Sequence, residues 1–381
     1  MKNTIEQSSK LKERKSKSRI TFNHKDQADF YPEVKRRVNQ YFKDNNIEKT
    51  ANWKMIGKTI FILTGLIVTY IMLISNWFVA SPWTMLMIAM LNGFFTAMVG
   101  LSIAHDAIHG AYAKSKRANR WIGSLFNVVG ANDYVWSVTH NIIHHTYTNV
   151  PDHDADLDQV PILRMKETQD LWGIHKYQYI YAFFLYPLAS ISWVFLKDYR
   201  KFFEKKIGGY DNSKYPKKEV YRLFGFKAIY YIWAIIIPFS VIALPWYYIL
   251  FGFIMMHLVE GTTLGVVFQL AHAIEETDFP VPDDNGKLEH SFAIHQMNTT
   301  ANFAPNNFFV NFVFGGLNYQ IEHHLFTNIC HIHYQDIAPI VKQTALEHGV
   351  PYHENTSFYS AMLSHIETLK KMGRPPEANL N

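Results

Sequence analysis

Residues 82–109 read PWTMLMIAMLNGFFTAMVGLSIAHDAIH. The part from 82 to 104 carries no charge and is long enough to cross about 30 Å of hydrocarbon as a helix. The last five residues then supply two histidines and an aspartate. A membrane span that ends in metal-binding side chains is therefore the unit from which the rest of the chain is read.

Three further runs have the same character. Residues 55–78 are almost uncharged after Lys58, residues 224–246 are broken only by Lys227, and residues 247–271 are apolar apart from His257, Glu260 and Gln269. The sequence thus predicts an all-α integral membrane protein with four spans, at 55–78, 82–104, 224–246 and 247–271, arranged as two hairpins. A fifth apolar stretch, Tyr177 to Leu196, lies between Lys176 and Lys197 and contains Pro187. It reads as a segment lying at the interface. The hairpin links, Val79 to Ser81 and a turn near Pro245, contain no Lys or Arg, whereas the other connections are rich in both. By the positive-inside rule, the segments outside the hairpins share the cytoplasmic side and form a histidine-rich cap there. The expected organisation is a polar, basic tail at 1–50, a membrane domain at 51–350 and a second tail at 351–381.

Charge and cysteine content exclude other classes. The net charge of +5 is concentrated in Lys10, Lys12, Arg14, Lys15, Lys17 and Arg19, which suits an arm near anionic headgroups or a solvated tail, not a nucleic-acid surface. The single cysteine, Cys330, rules out an intrachain disulfide and a thiolate metal cluster. No signal peptide is expected ahead of the first span, because the chain stays polar before it.

Nineteen histidines crowd the span ends. His105 and His109 are an i, i+4 pair, which a helix places on one face, although a structural pair has the same spacing. His140 and His144 repeat it, and the adjacent His145 points about 100° away around a helix, towards a second ion. His323 and His324 match that box, with Gln320 where His140 would stand. His272 ends the last span as His105 ends the second, as a ligand or as a headgroup-level hydrogen-bonding group. These eight imidazoles exceed the four ligands of one tetrahedral zinc. They argue for two ions of higher coordination number, with iron suited better than zinc or copper.

HDAIHG at 105–110, HNIIHHTYTN at 140–149 and GGLNYQIEHHLF at 315–326 resemble the three histidine boxes of the membrane fatty acid desaturases. Order, spacing and the intervening hairpin agree over about residues 50–350. The resemblance implies a di-iron centre held by His105, His109, His140, His144, His145, His272, His323 and His324, with Gln320 as a weaker or water-mediated ligand. It implies an oxygen-dependent reaction that places a cis double bond in a fatty acyl chain. The glutamine of the third box is similar to that of front-end enzymes such as the linoleoyl-CoA desaturases. A fused cytochrome b5 domain, with its His-Pro-Gly-Gly motif, is absent, so electrons are expected from a separate donor of ferredoxin or cytochrome b5 type. Coenzyme A, acyl carrier protein and lipid all remain open as carriers of the acyl chain. A bacterial plasma membrane is the expected location.

Smaller features have two readings each. Asp152 to Asp158 lacks the Gly and Glu of an EF-hand, with Leu157 and Leu163 in those places. Asp106, Asp152, Asp154 and Glu322 instead suit carboxylates that orient ligand imidazoles, or a solvated acidic face. His257 and Glu260, one turn apart inside the fourth span, suit either a substrate tunnel or an interhelical pair. Lys114, Lys116, Arg117 and Arg120 suit either a coenzyme A or headgroup phosphate site, or an ordinary cytoplasmic loop. The competing functions are a di-iron hydroxylase, a zinc hydrolase of ceramidase type, and a lipid-binding protein whose histidines are structural.

Overall fold

The computed structural model describes residues 20–157 and 160–375, so the basic stretch Lys10 to Arg19 and Asp158 lie outside the described residues. Helix dominates, with two short strand pairs. Helix α1 (Phe30–Asp44) buries Phe30, Val34, Val38 and Phe42 at one-turn spacing, the stripe a helix needs to lie on a core. It packs against Ile294, Met297, Ile337 and Val341.

Helices α2 (Trp53–Ile74) and α3 (Pro82–Ile108) follow. Asn52 caps α2 by accepting from the N–H groups of Lys54 and Met55, and Pro82 enters α3 in its first turn, where the missing N–H leaves no gap. The next elements are the short basic helix α4 (Lys116–Gly123) and the helical segment α5 (133–147). Then come α6 (His175–Phe203), α7 (Lys217–Val241) and α8 (Trp246–His272). Helices α2, α3, α6, α7 and α8 are long and apolar enough to cross a membrane. Their outward side chains include Ile60, Phe61, Ile67, Ile232, Ile236 and Phe251, an apolar surface that suits lipid and would be unstable in water. The chain is an integral membrane protein.

Sequence counting gave four such elements and left Tyr177 to Leu196 at the interface; the structure makes that stretch part of a 29-residue apolar helix. Pro187 does not break it, because the backbone tightens there into a short run of i→i+3 turns. The third expected span also starts earlier, at Lys217, because its polar first turns are anchored: Arg222 pairs with Asp133 at 2.6 Å and with Glu219 at 2.9 Å.

Two contacts fix how the hairpins sit together. Asn76, in a left-handed turn at φ 61°, donates to the Val241 carbonyl and accepts from the Ala243 N–H, each at 2.8 Å. The two hairpin tips are thereby tied at one end of the bundle. Glycines set the crossings. A Cβ on Gly93 would lie 2.1 Å from the Met256 carbonyl oxygen, and one on Gly261 would lie 2.1 Å from that of Pro187. Helix α8 thus touches α3 and α6 backbone to backbone, an approach that only the smallest residues permit.

At the other end lie α9 (Phe292–Thr299), α10 (Gln320–Leu325), α11 (Tyr334–Glu347) and α12 (Phe358–Met372). Described residues towards both ends of the chain are packed as well. Helix α1 has a buried stripe, Glu354–Asn355 pairs in parallel with Asn302–Phe303, and Ala361, His365 and Leu369 of α12 are buried. An amphipathic helix such as α1, with a polar outer face, looks like a tail in composition alone. Substituting Gly261→Val should cost roughly 1–3 kcal/mol or more, as overpacking against a backbone does, and a lowered melting temperature of the detergent-solubilised protein would show it.

Candidate metal centre

The histidine-bearing segments are shaped before they meet. In α3 the helix widens to i→i+5 turns over Val99–Ala104, immediately ahead of His105, and α5 widens likewise over Ser137–His144. Such wide turns rotate the side chains that follow and are common at functional sites. At Gly315 and Gly316 the backbone is left-handed at φ 63° and 68°, and a Cβ on Gly315 would lie 2.4 Å from the Leu101 carbonyl oxygen. The third box is in this way pressed against α3.

All eight expected imidazoles converge. One ring nitrogen each from His105, His109, His140 and His323 lies within 4.8 Å of the others, and the same holds for His144, His272 and His324. His145 joins the two groups, grouping with His323 and His324. Its ring centroid is 4.2 Å from that of His324 and 4.8 Å from that of His109. Except for the half-buried His109, every one is buried.

Five of the outer nitrogens are anchored. His144 Nδ1 donates to Asp154 Oδ2 at 2.9 Å, His324 Nδ1 donates to Gln296 Oε1 at 2.7 Å and His272 Nδ1 donates to the Thr299 carbonyl at 3.2 Å. His140 Nδ1 lies 3.3 Å from Asp156 Oδ2, and His323 Nδ1 lies 3.2 Å from the Tyr334 hydroxyl. The inner nitrogens have no such partner. Nε2 of His105, His109, His144, His272, His323 and His324 and Nδ1 of His145 are buried without a hydrogen bond, while Nε2 of His140 and of His145 face each other at 3.1 Å. An unsatisfied buried polar atom costs about 1–3 kcal/mol, so a cluster of them is tolerated only where something else is bound. Rings held by Nδ1 with Nε2 turned inward are the arrangement that metal-ligating histidines adopt. Burial and the neighbouring imidazoles hold His109, His140, His145, His323 and His324 well below the ordinary histidine value, in the neutral form that a metal requires. For His144, burial opposes the charged form but Asp154 and Asp156 outweigh it and push the ring up. An all-imidazole, thiolate-free set of this size fits two iron ions.

Other expected residues divide. Gln320 donates to the Leu317 carbonyl at 2.8 Å and keeps a buried, unpartnered Oε1. Asp154 touches a cage histidine, and Asp106 Oδ1 lies 3.5 Å from His105 Nδ1. Asp152 and Glu322 correct the expectation. The Asp152 carboxylate is exposed and pairs with Lys166 at 2.7 Å. Glu322 accepts from Asn302 at 2.8 Å and from Tyr352 at 3.0 Å, and burial pushes it up to about 7. A carboxylate beside a histidine in sequence leaves the helix on a different face, so adjacency did not predict contact. Asp156, Gln296 and Tyr334 went unnoticed; Asp156 was legible in the acidic run, whereas nothing near Gln296 marks it.

A cavity of about 320 Å³ opens beside His144 and His272, walled by Trp136, Leu185, Leu188, Leu264 and Phe268. His257 and Glu260 do not line it. His257 instead joins three helices, bonding Tyr230 at 2.9 Å and Ser190 at 3.0 Å with Glu260 at 3.3 Å, and Glu260 borders a separate void of about 20 Å³. Lys114, Lys116 and Arg120 line a cleft of about 820 Å³ behind Ala107 and Ile108, joined by Lys218 and Arg222; Arg117 does not line it. Substituting Asp154→Ala should weaken metal retention roughly 10- to 100-fold in a chelator titration read by elemental analysis, while Asp152→Asn should leave it unchanged.

Comparison with known proteins agrees with this geometry. The sequence model of the fatty acid desaturase family matches residues 81–356. The chain is 35% identical to an acyl-lipid (8-3)-desaturase of Physcomitrium patens over 94% of this chain and 74% of that protein. It is 34% identical to an sn-1 linoleoyl-lipid 6-desaturase of Arthrospira platensis, covering 94% and 96%, and 33% identical to one of Synechocystis sp., covering 93% and 98%. With three boxes in register and this coverage, the chain belongs to the fatty acid desaturase family, among its front-end members, and is an oxidoreductase that places double bonds in fatty acyl chains.

Proposed function

We propose that the cage binds two iron ions, one among His105, His109, His140 and His323 and one among His144, His272 and His324, with His145 between them and Gln320 as a weak or water-mediated ligand. The observation that carries this reading is that seven of the eight rings present a buried, unpartnered nitrogen to one shared volume. Bound there, the irons supply the oxygen-dependent removal of two hydrogens from adjacent carbons, chemistry that no side chain provides. Electrons come from a separate donor of ferredoxin or cytochrome b5 type.

The protein's own part is position. Asp154, Asp156, Gln296, Thr299 and Tyr334 hold the rings by their outer nitrogens. The walls formed by Trp136, Leu264 and Phe268 accept an acyl chain, exclude water and keep the target carbons beside His144 and His272. From His272 down to Leu264 is eight residues of helix, a depth of about 12 Å at 1.5 Å per residue. Lys114, Lys116 and Arg120 hold a phosphate of the substrate's headgroup at the surface. The substrate is a lipid-linked acyl chain that already has a double bond, the class the named relatives act on, and the new cis bond forms on its carboxyl side.

The convergence of the boxes supports a reading with four crossings and not five. If α6 crossed the membrane, His272 at the end of α8 would lie on the face opposite His144, yet their rings are 4.6 Å apart. Helix α6 therefore enters and leaves on one side. The Lys- and Arg-rich cap is cytoplasmic, and a bacterial plasma membrane is its setting.

Expression in a bacterial host with lipid profiling should reveal an acyl chain lighter by two hydrogens, its new double bond located by fragmentation, and His324→Ala should abolish it. A product heavier by one oxygen atom would instead make the protein a hydroxylase, and a purified protein free of iron would overturn the cage. Changing Lys114, Lys116 and Arg120 together to Gln should raise KM at least about fivefold, since one surface cation is worth about 1 kcal/mol, with kcat little altered.

A further inference from the structure

A buried chain of polar groups leads away from the first histidine box to a charge that the metal site does not account for. Asp106 is 1% exposed. Its Oδ2 accepts from His331 Nδ1 at 2.7 Å, from the His331 backbone N–H at 3.1 Å and from the Cys330 thiol at 3.0 Å. Its other oxygen faces His105 Nδ1 at 3.5 Å. On the far side of the His331 ring, Nε2 lies 2.9 Å from Lys58 Nζ. Lys58 is on α2 and only 8% exposed, and its ammonium sits 5.1 Å from the Phe312 ring centroid. An ionisable side chain inside a membrane helix is costly, and one turned inward has a partner to serve. Here that partner is 225 residues from Asp106 in sequence.

The chemistry of the groups sets the direction of each bond. A charged lysine has donors and no acceptor, so Nε2 of His331 must accept and its proton sits on Nδ1, which donates to Asp106. The carboxylate, held in this way, is left with Oδ1 for His105. At 3.5 Å the two atoms make no hydrogen bond, but the carboxylate charge facing Nδ1 favours the proton on that atom and leaves Nε2 as the lone pair, the form in which an imidazole binds metal. A buried carboxylate stripped of its partners would be far less stable, so Lys58 also compensates the charge that Asp106 brings.

We propose that Lys58 and His331 are positioning residues, which act through Asp106 to fix the tautomer and ring angle of His105 and thereby the metal bound by His105, His109, His140 and His323. This rests on the reading of the cage as an iron site. Cys330 is a third donor in the same device. A metal ion among Asp106, Cys330 and His331 is disfavoured by the ammonium that faces the ring.

The test uses the full chain purified in detergent with its iron, and follows iron retained during chelator titration, the reduction potential of the bound iron, and the melting temperature. Lys58→Met and His331→Leu should lower the chelator concentration that strips half of the iron by roughly 10- to 100-fold and shift the potential. Lys58→Arg, which keeps the charge, and His331→Gln, which keeps one acceptor and one donor, should restore most of both. Wild-type retention and potential in a folded Lys58→Met protein would overturn the proposal, as would equal losses in Lys58→Met and Lys58→Arg. If neither disruptive variant accumulates, Cys330→Ala decides: a smaller loosening in the same direction supports the device, and none overturns it. Wild-type protein that purifies without iron tells against the cage itself, whereas iron-loaded wild type with insensitive variants tells only against Lys58 and His331.

Discussion

A neutral imidazole has two nitrogens and one proton to place between them, so a partner that claims the proton on Nδ1 leaves the lone pair on Nε2 pointing away from it. That constraint organises the cap of this protein. Asp154, Gln296 and the Thr299 carbonyl each accept a hydrogen bond from the outer nitrogen of a ring, and the inner nitrogens of those same rings are the buried atoms that lack a bond. The energetic cost of gathering so many unsatisfied atoms is what makes the arrangement informative, since a core without a ligand would not keep it.

Holding such a cage needs rigid supports on every side. Backbone contact at Gly93 and Gly261 locks α8 to α3 and α6, and wide turns at the ends of α3 and in α5 aim the histidines that follow. Polar groups deeper in the bundle add to this rigidity. Lys227 donates to the carbonyls of Gly130 and Val194, each at 2.7 Å, and to Asp198 at 2.8 Å, and Asp198 in turn accepts from Trp193 at 2.9 Å. That pairing fastens α6 to α7 and sets Trp193 in the wall of the cavity beside the cage. The same few contacts therefore shape both the histidine cage and the cavity beside it.

Family membership and chemistry are shared with enzymes whose names give different double-bond positions. A common cage with a variable cavity explains how this can be. The boxes supply the histidine cage, while side chains such as Leu264 and Trp193, far from any motif, bound the volume beside it.

Apolar runs, their lengths and the histidine spacings were legible in the chain itself, because hydropathy and helical periodicity are local properties. So were the eight imidazoles that the packed chain brings together. Composition left α6 at the interface, whereas the packed chain makes it one of five helices long and apolar enough to cross a membrane. The packed face of α1 was hidden by its polar outer surface. Among the carboxylates, local adjacency misled: Glu322 stands beside a cage histidine yet bonds Asn302 and Tyr352, while Gln296, remote in sequence, holds His324. Residue type and spacing determined which atoms can bind metal, but which groups hold those atoms in place is set by contacts between distant segments, and such contacts exist only after the chain has packed.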